Sequence, residues 1–248
     1  MSMARLEWQR LRVSTLPWVL LALALALLAW AFLQSLNGFL QAQTKLAAMP
    51  SAPGFTDLVA VPLLSQLAQL SLLLAPLVVM SALAGERRHG TLPGLFAAGL
   101  SPVRIVLGKY VVAWLWLLLL LVLTVMMPVL LAFSTQLDWG KLAAAALGVA
   151  LLMGALSAIG LACSAFTRHA ALAAGAAWLL SLGLWMINVA VRASGERGGL
   201  LDWLSLSSHV QPMLRGLVAS EDVIYFVLLI VLALALATLR LGRERMAR

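Results

Sequence analysis

Six stretches of this chain are long and apolar enough to cross a bilayer, at positions 16–33, 58–83, 111–133, 142–166, 170–191 and 223–239. A hydrocarbon core about 30 Å thick takes roughly 20 apolar residues as a helix. Backbone groups inside it must find partners within the protein, so helices are the expected form. The composition agrees: 63% of residues are hydrophobic and 10% charged, with a mean hydropathy of +1.03, whereas a soluble domain carries about 25% charge. Six helices and their connections use up the 248 residues. The expectation is one all-α integral membrane domain spanning 1–248, with no room for a separate soluble domain.

The charges outside the apolar runs predict the orientation. If the N-terminus is cytoplasmic, the inner segments hold Arg5, Arg10, Arg12, Arg87, Arg88, Arg104, Lys109, Arg168, Arg240, Arg243, Arg245 and Arg248, which is 12 of the 17 basic residues. Lys45, Lys141, Arg192, Arg197 and Arg215 are left outside. Basic residues concentrate on the cytoplasmic side of short connections, so the pattern predicts N-in and C-in topology. The net charge of +8 sits at helix ends rather than on one accessible patch, which argues against nucleic-acid binding. The basic start resembles a signal peptide, but no clean small-residue cleavage site follows and more spans come after it, so a retained first helix is expected. Before it, Arg5, Leu6, Trp8, Arg10 and Leu11 have the mix of a helix lying among lipid headgroups, the alternative being a frayed, positively charged tail.

The connections differ in length. The turn at 167–169 is minimal and predicts an antiparallel hairpin of the fourth and fifth helices. The outer segments 34–57 and 192–222 are long enough to form short helices or a small cap, with short outer helices expected before the sixth span. The connection at 85–102 contains two helix starts: Thr91 with Pro93 in the first turn, and Ser101 followed by Pro102. A short cytoplasmic helix over 92–100 is expected, then a third helix from Pro102 to Phe133. That helix, at ~45 Å, exceeds the hydrocarbon thickness and places Arg104 and Lys109 in the cytoplasm. Such a transverse helix can transmit force from a soluble partner; by spacing alone it is equally a plain interfacial loop.

Within this connection Glu86-Arg87-Arg88-x-Gly90-Thr91-Leu92 is followed by Leu95, Leu100-Ser101-Pro102 and Gly108-Lys109-Tyr110. The pattern resembles the permeases of ABC-2-type transporters, most of all the gliding-motility (GldF-like) permeases, with the nitrous-oxide-reductase maturation permease more distant. Ser207-Ser208-His209, Arg215-Gly216-Leu217-Val218 and Asp222-Val223-x-Tyr225-Phe226 resemble the same subfamily, with Val210 and Met213 standing where aromatics are expected.

The resemblance implies that Glu86, Arg87, Arg88, Gly90, Thr91, Leu92, Leu95, Arg104 and Lys109 couple to a separate ATPase, and that Ser207, His209, Arg215 and Gly216 form an outer loop. The ATP and magnesium belong to that partner. The chain has no Gly-x-x-x-x-Gly-Lys-Ser/Thr loop, so it does not split ATP by that route and is not expected to be catalytic alone. The function expected is the permease subunit of an ATP-driven exporter in a bacterial inner membrane, paired with a second permease copy or a relative. The alternatives are an ATP-driven mechanical subunit that carries no solute and serves periplasmic or outer-envelope partners, and a structural membrane protein independent of ATP.

Other constellations carry less. Cys163 lies alone in an apolar run, so no disulfide framework or metal cluster arises. His209 with Arg215, Asp202 and Glu196 lacks a second histidine or cysteine at ligand spacing, which favours capping and ion pairing. Ser220, Glu221 and Asp222 read as a cap and first-turn acids. Ser157 between Gly154 and Gly160 suggests an intramembrane protease, but His89, His169 and His209 all lie in connections. The small residues more simply allow close helix approach. Gln66, Gln69 and Asn188 are costly in hydrocarbon unless paired, so they bond between helices or line a route. Pro62, Pro76 and Pro128 are candidates to bend their helices.

Overall fold

The computed structural model describes residues 8, 15–46, 54–90, 94, 101–133, 135–194 and 200–246, and every regular element among them is helical. Helix α1 covers Thr15–Leu46; a π-helical turn at Thr56–Ala60 leads into α2, Val61–Val79; α3 is short, Ala84–His89. Then come α4 (Pro102–Leu130), α5 (Trp139–Phe166) and α6 (Ala170–Ser194). Two short helices, α7 (Leu200–Trp203) and α8 (Leu206–Leu214), precede α9 (Ser220–Met246). Six helical segments are long and apolar enough to span a membrane. The amphipathic segment expected at 5–11 lies outside the described residues except for Trp8.

Helix α5 is the central post. In its apolar window 72% of residues are buried, against 22% for the first span and 17% for the fifth. Its sequence explains the position, because glycine and alanine let neighbouring helices approach closely. A Cβ at Gly154 would come within 3.1 Å of the Tyr110 hydroxyl and 3.2 Å of the Trp114 indole nitrogen. Trp114 in turn donates from Nε1 to the Ala150 carbonyl at 3.0 Å. Ser157 is buried and donates to Met153 O on its own helix at 2.7 Å, so its hydroxyl does not bridge helices.

Several boundaries differ from expectation. Helix α1 continues unbroken through 34–46, where an outer segment of short helices or a small cap is expected, and Phe39 meets Phe55 edge-to-face at 5.5 Å between ring centroids. The second span starts in a π turn just before Pro62, whose missing N–H removes a backbone donor. Its regular part ends at Val79 rather than 83 because Ser164 of α5 interrupts the ladder. Ser164 Oγ accepts from the Leu83 and Ala84 amides at 3.1 and 2.9 Å and donates to the Met80 carbonyl at 3.1 Å. Helix α4 starts at Pro102 as expected, with the Ser101 hydroxyl accepting from Arg104 N at 3.4 Å. It ends at Leu130, three residues early, in a tighter turn closed by Leu131 N on Pro128 O at 3.1 Å.

The bundle has two distinct ends. One holds α3, the start of α4, the 167–169 turn and the end of α9; the other holds the π turn, the start of α5 and the α7–α8 cap. The Phe39–Phe55 contact puts the end of α1 on the cap side, so α1 begins and α9 ends on the α3 side.

Candidate functional site

The α3 end concentrates charge below the bilayer-length part of the bundle. Ser164 supplies the acceptor that the free N-terminal amides of α3 need, and Gly90 ends the helix with φ of +66°, a left-handed cap that suits glycine. Between these stops lie Glu86, Arg87 and Arg88. Glu86 is buried and its Oε1 accepts from Lys109 Nζ at 2.9 Å, with side chains 6% and 2% exposed. Lys109 therefore is not the free cytoplasmic cation its sequence position suggests. It lies about two turns inside α4 and is held against α3 by this pair.

Arg87 turns the other way, to α9. Its Nη2 is 2.9 Å from Glu244 Oε1, and Arg240 reaches the same carboxylate oxygen at 3.8 Å. The Arg240 guanidinium also lies 5.8 Å from the Phe166 ring centroid, at the end of α5. Arg88 and Arg104 are exposed. Thr91, Leu92 and Leu95, and with them the helix expected over 92–100, lie outside the described residues except for Gly94, which is helical. The six-residue α3 is thus held by α4, α5 and α9 at once.

At the opposite end α7 and α8 fold over the bundle. His209 is buried with Nδ1 2.7 Å from Asp222 Oδ1 and Nε2 2.9 Å from the Trp203 carbonyl oxygen. The ring thus bridges the first turn of α9 and the end of α7. The imidazole stacks on Tyr225 at 4.0 Å between centroids, and the Tyr225 hydroxyl donates to Leu204 O at 2.7 Å. The acid that partners His209 is therefore a first-turn acid of α9, not Asp202 of its own loop, and Glu196 lies outside the described residues. Asn188 donates to Ser208 Oγ, which donates to Asp202 at 2.8 Å; the asparagine ties α6 to the cap. Ser207 is buried, 3.4 Å from Ser205 Oγ.

Val210 and Met213 are fully buried. Met213 sits over Gly148 of α5 so closely that a Cβ there would meet its own Cβ at 2.8 Å, which leaves no room for an aromatic without displacing the cap. Gly216 has φ of +90° and faces Lys141, whose Cγ a Cβ would meet at 2.8 Å. Lys141 Nζ lies 3.1 Å from both Asp57 oxygens, and the Asp138 amide donates to Thr56 Oγ1 at 2.8 Å. Arg215, Gln66 and Gln69 are exposed.

Sequence reasoning missed Ser164, Glu244, Asp57 and Ser208. Ser164 is one small polar residue among alanines, and nothing in its neighbours marks a contact 80 residues away. Glu244 stands among arginines that read as topology signals. Cysteine 163 is buried with a free thiol, and among the described residues no group of three or more histidine, cysteine or acidic side chains could hold a metal ion.

A family model described as ABC-2 family transporter protein matches residues 52–239 of this chain, from the entry of the second span to the last, cap included. No curated protein matches the chain significantly.

Proposed function

The chain belongs to the ABC-2 transporter family, and from that premise we propose that it is the permease subunit of an ATP-driven exporter in a bacterial inner membrane, with its ATPase a separate polypeptide. The observation that carries the proposal is the three-way hold on α3. A soluble subunit that pushes on 84–90 acts at once on α4 through Glu86–Lys109, on α9 through Arg87–Glu244 and on α5 through Ser164. The α3 end is the cytoplasmic one in this reading, in keeping with 12 of 17 basic residues falling on that side.

The permease works as a pair, with itself or with a relative. The support is the exposure of Gln66 and Gln69 on a membrane-spanning helix, where polar amides call for a protein neighbour or water. ATP binding draws the two ATPases together, the α3 segments follow, and the spans between the copies change from one access state to the other. Kinship with the gliding-motility permeases rests on the Glu86–Lys109 and Ser207–Phe226 patterns.

A second reading is mechanical transmission without a solute. It is favoured by the tight bonding of the cap to α9 through His209–Asp222 and Tyr225–Leu204, which would carry movement of α9 to a partner beyond the membrane. ATP turnover in sealed vesicles without movement of any candidate solute would support this reading.

Affinity purification in mild detergent tests the first proposal. A protein with a phosphate loop should copurify with the wild-type chain and be lost with Glu86→Arg, while a Gln66→Leu chain keeps it. Failure of any ATPase to copurify overturns the proposal.

A further inference from the structure

Between α2, α6 and the cap helix α8 lies an open cavity of about 230 Å³. Its polar lining comes from Ser65, Gln69, Trp185, Gln211 and Arg215, and Val61 and Leu214 add an aliphatic wall. Ser65 and Gln69 are four apart and share one face of α2. The Ser65 hydroxyl donates to Val61 O at 2.9 Å. Among the described residues no hydrogen bond engages the Gln69 or Gln211 amides and no ion pair engages Arg215. The lining thus offers one cation, two amides free to donate and no carboxylate.

Such a set is selective. An unpaired cation with free N–H donors favours an oxyanion, which a guanidinium meets with two parallel hydrogen bonds. A cationic ligand would meet Arg215 with no compensating acid. The cavity opens among membrane-spanning helices, and the flanking fifth span leaves most of its apolar surface uncovered, so a ligand with its head in the cavity can leave a hydrocarbon chain in the lipid.

We propose that this cavity binds the oxyanion headgroup of an amphiphile, with Arg215 taking the charge, Gln69 and Gln211 donating to the head, and the chain lying in the lipid against the uncovered fifth span. The proposal deepens the permease reading and rests on it for the site's purpose, but binding itself needs no ATP.

The test takes the purified chain, with any accompanying ATPase, in the nonionic detergent dodecyl maltoside and adds dodecyl phosphate carrying a photoreactive diazirine on its chain. Without nucleotide, saturable labelling should map to α2, α6 or α8. It should fall roughly tenfold or more in Arg215→Gln, the loss expected for one charge-assisted contact, and recover in Arg215→Lys. Gln69→Leu should weaken labelling by a smaller factor, and its retained gel-filtration profile controls for folding. Equal labelling by the matching dodecanol probe, unchanged labelling of Arg215→Gln, or full competition by inorganic phosphate would each overturn the proposal. Labelling that passes these tests but does not respond to ATP and magnesium keeps the site and removes the export reading.

Discussion

Serine 164 and serine 157 lie two turns apart on one helix, both buried, yet they differ in what depends on them. The Ser157 hydroxyl adds a second bond to a carbonyl of its own helix. Ser164 instead satisfies two amides of another segment, and a buried N–H left without an acceptor costs about 1–3 kcal/mol. We expect Ser164→Ala to lower stability by about 2 kcal/mol, seen as a lower thermal midpoint in detergent, and Ser157→Ala to change it by under about 0.5 kcal/mol. The Glu86–Lys109 pair has a different logic. Removing one member strands a buried charge, at about 3–5 kcal/mol, whereas replacing both with apolar residues of similar volume is often near neutral. Lys109→Met should therefore be far less stable than Lys109→Met with Glu86→Leu. Only a chain that keeps the ion pair should retain ATPase binding, which separates stability from coupling in one double-mutant series.

Among elements, the contact of the cap with α5 is decided by a glycine and a methionine. Gly148→Ala would drive a methyl into Met213, so it should loosen the cap and raise the labelling rate of a cysteine placed at Ser205, which is buried. Adding Met213→Gly should restore much of the protection, because the nearest obstructing atom is the Met213 Cβ, which alanine would keep. The spans themselves were legible in the sequence because apolar length is a local property. The helix over 34–46 was not, since Gln34, Asn37 and Gln41 mark the end of the apolar run but do not forbid helix. The break after Val79 was not either, because its cause, Ser164, lies in another helix. For the same reason Glu86 and Lys109 could be singled out as residues but not joined as a pair, and His209 was matched to the acids of its own loop rather than to Asp222 across it.

For the whole molecule the two ends are held by different forces. The cap is fastened mainly by hydrogen bonds and ring stacking, the α3 end mainly by ion pairs, one of which has a partly exposed carboxylate at Glu244. Partly exposed pairs are screened by salt, buried ones much less. Glu244→Gln should accordingly reduce the coupling of nucleotide turnover to spans without abolishing ATPase binding, and a wild-type chain in raised salt should move toward the same behaviour. The readout is ATPase stimulation by the permease across a salt series. Arg243→Gln, which changes an exposed neighbouring residue, should leave that ratio where it was.

The close approaches of Gly148 to Met213 and of Gly216 to Lys141 bear on inheritance as well as packing. At each a gain in bulk on one segment demands a loss on the other, so the cap and the beginning of α5 form a matched set in this chain. A chimera that takes its cap from a relative with larger residues at the positions of Met213 or Gly216 should assemble only when the facing stretch of the fourth span is transplanted with it.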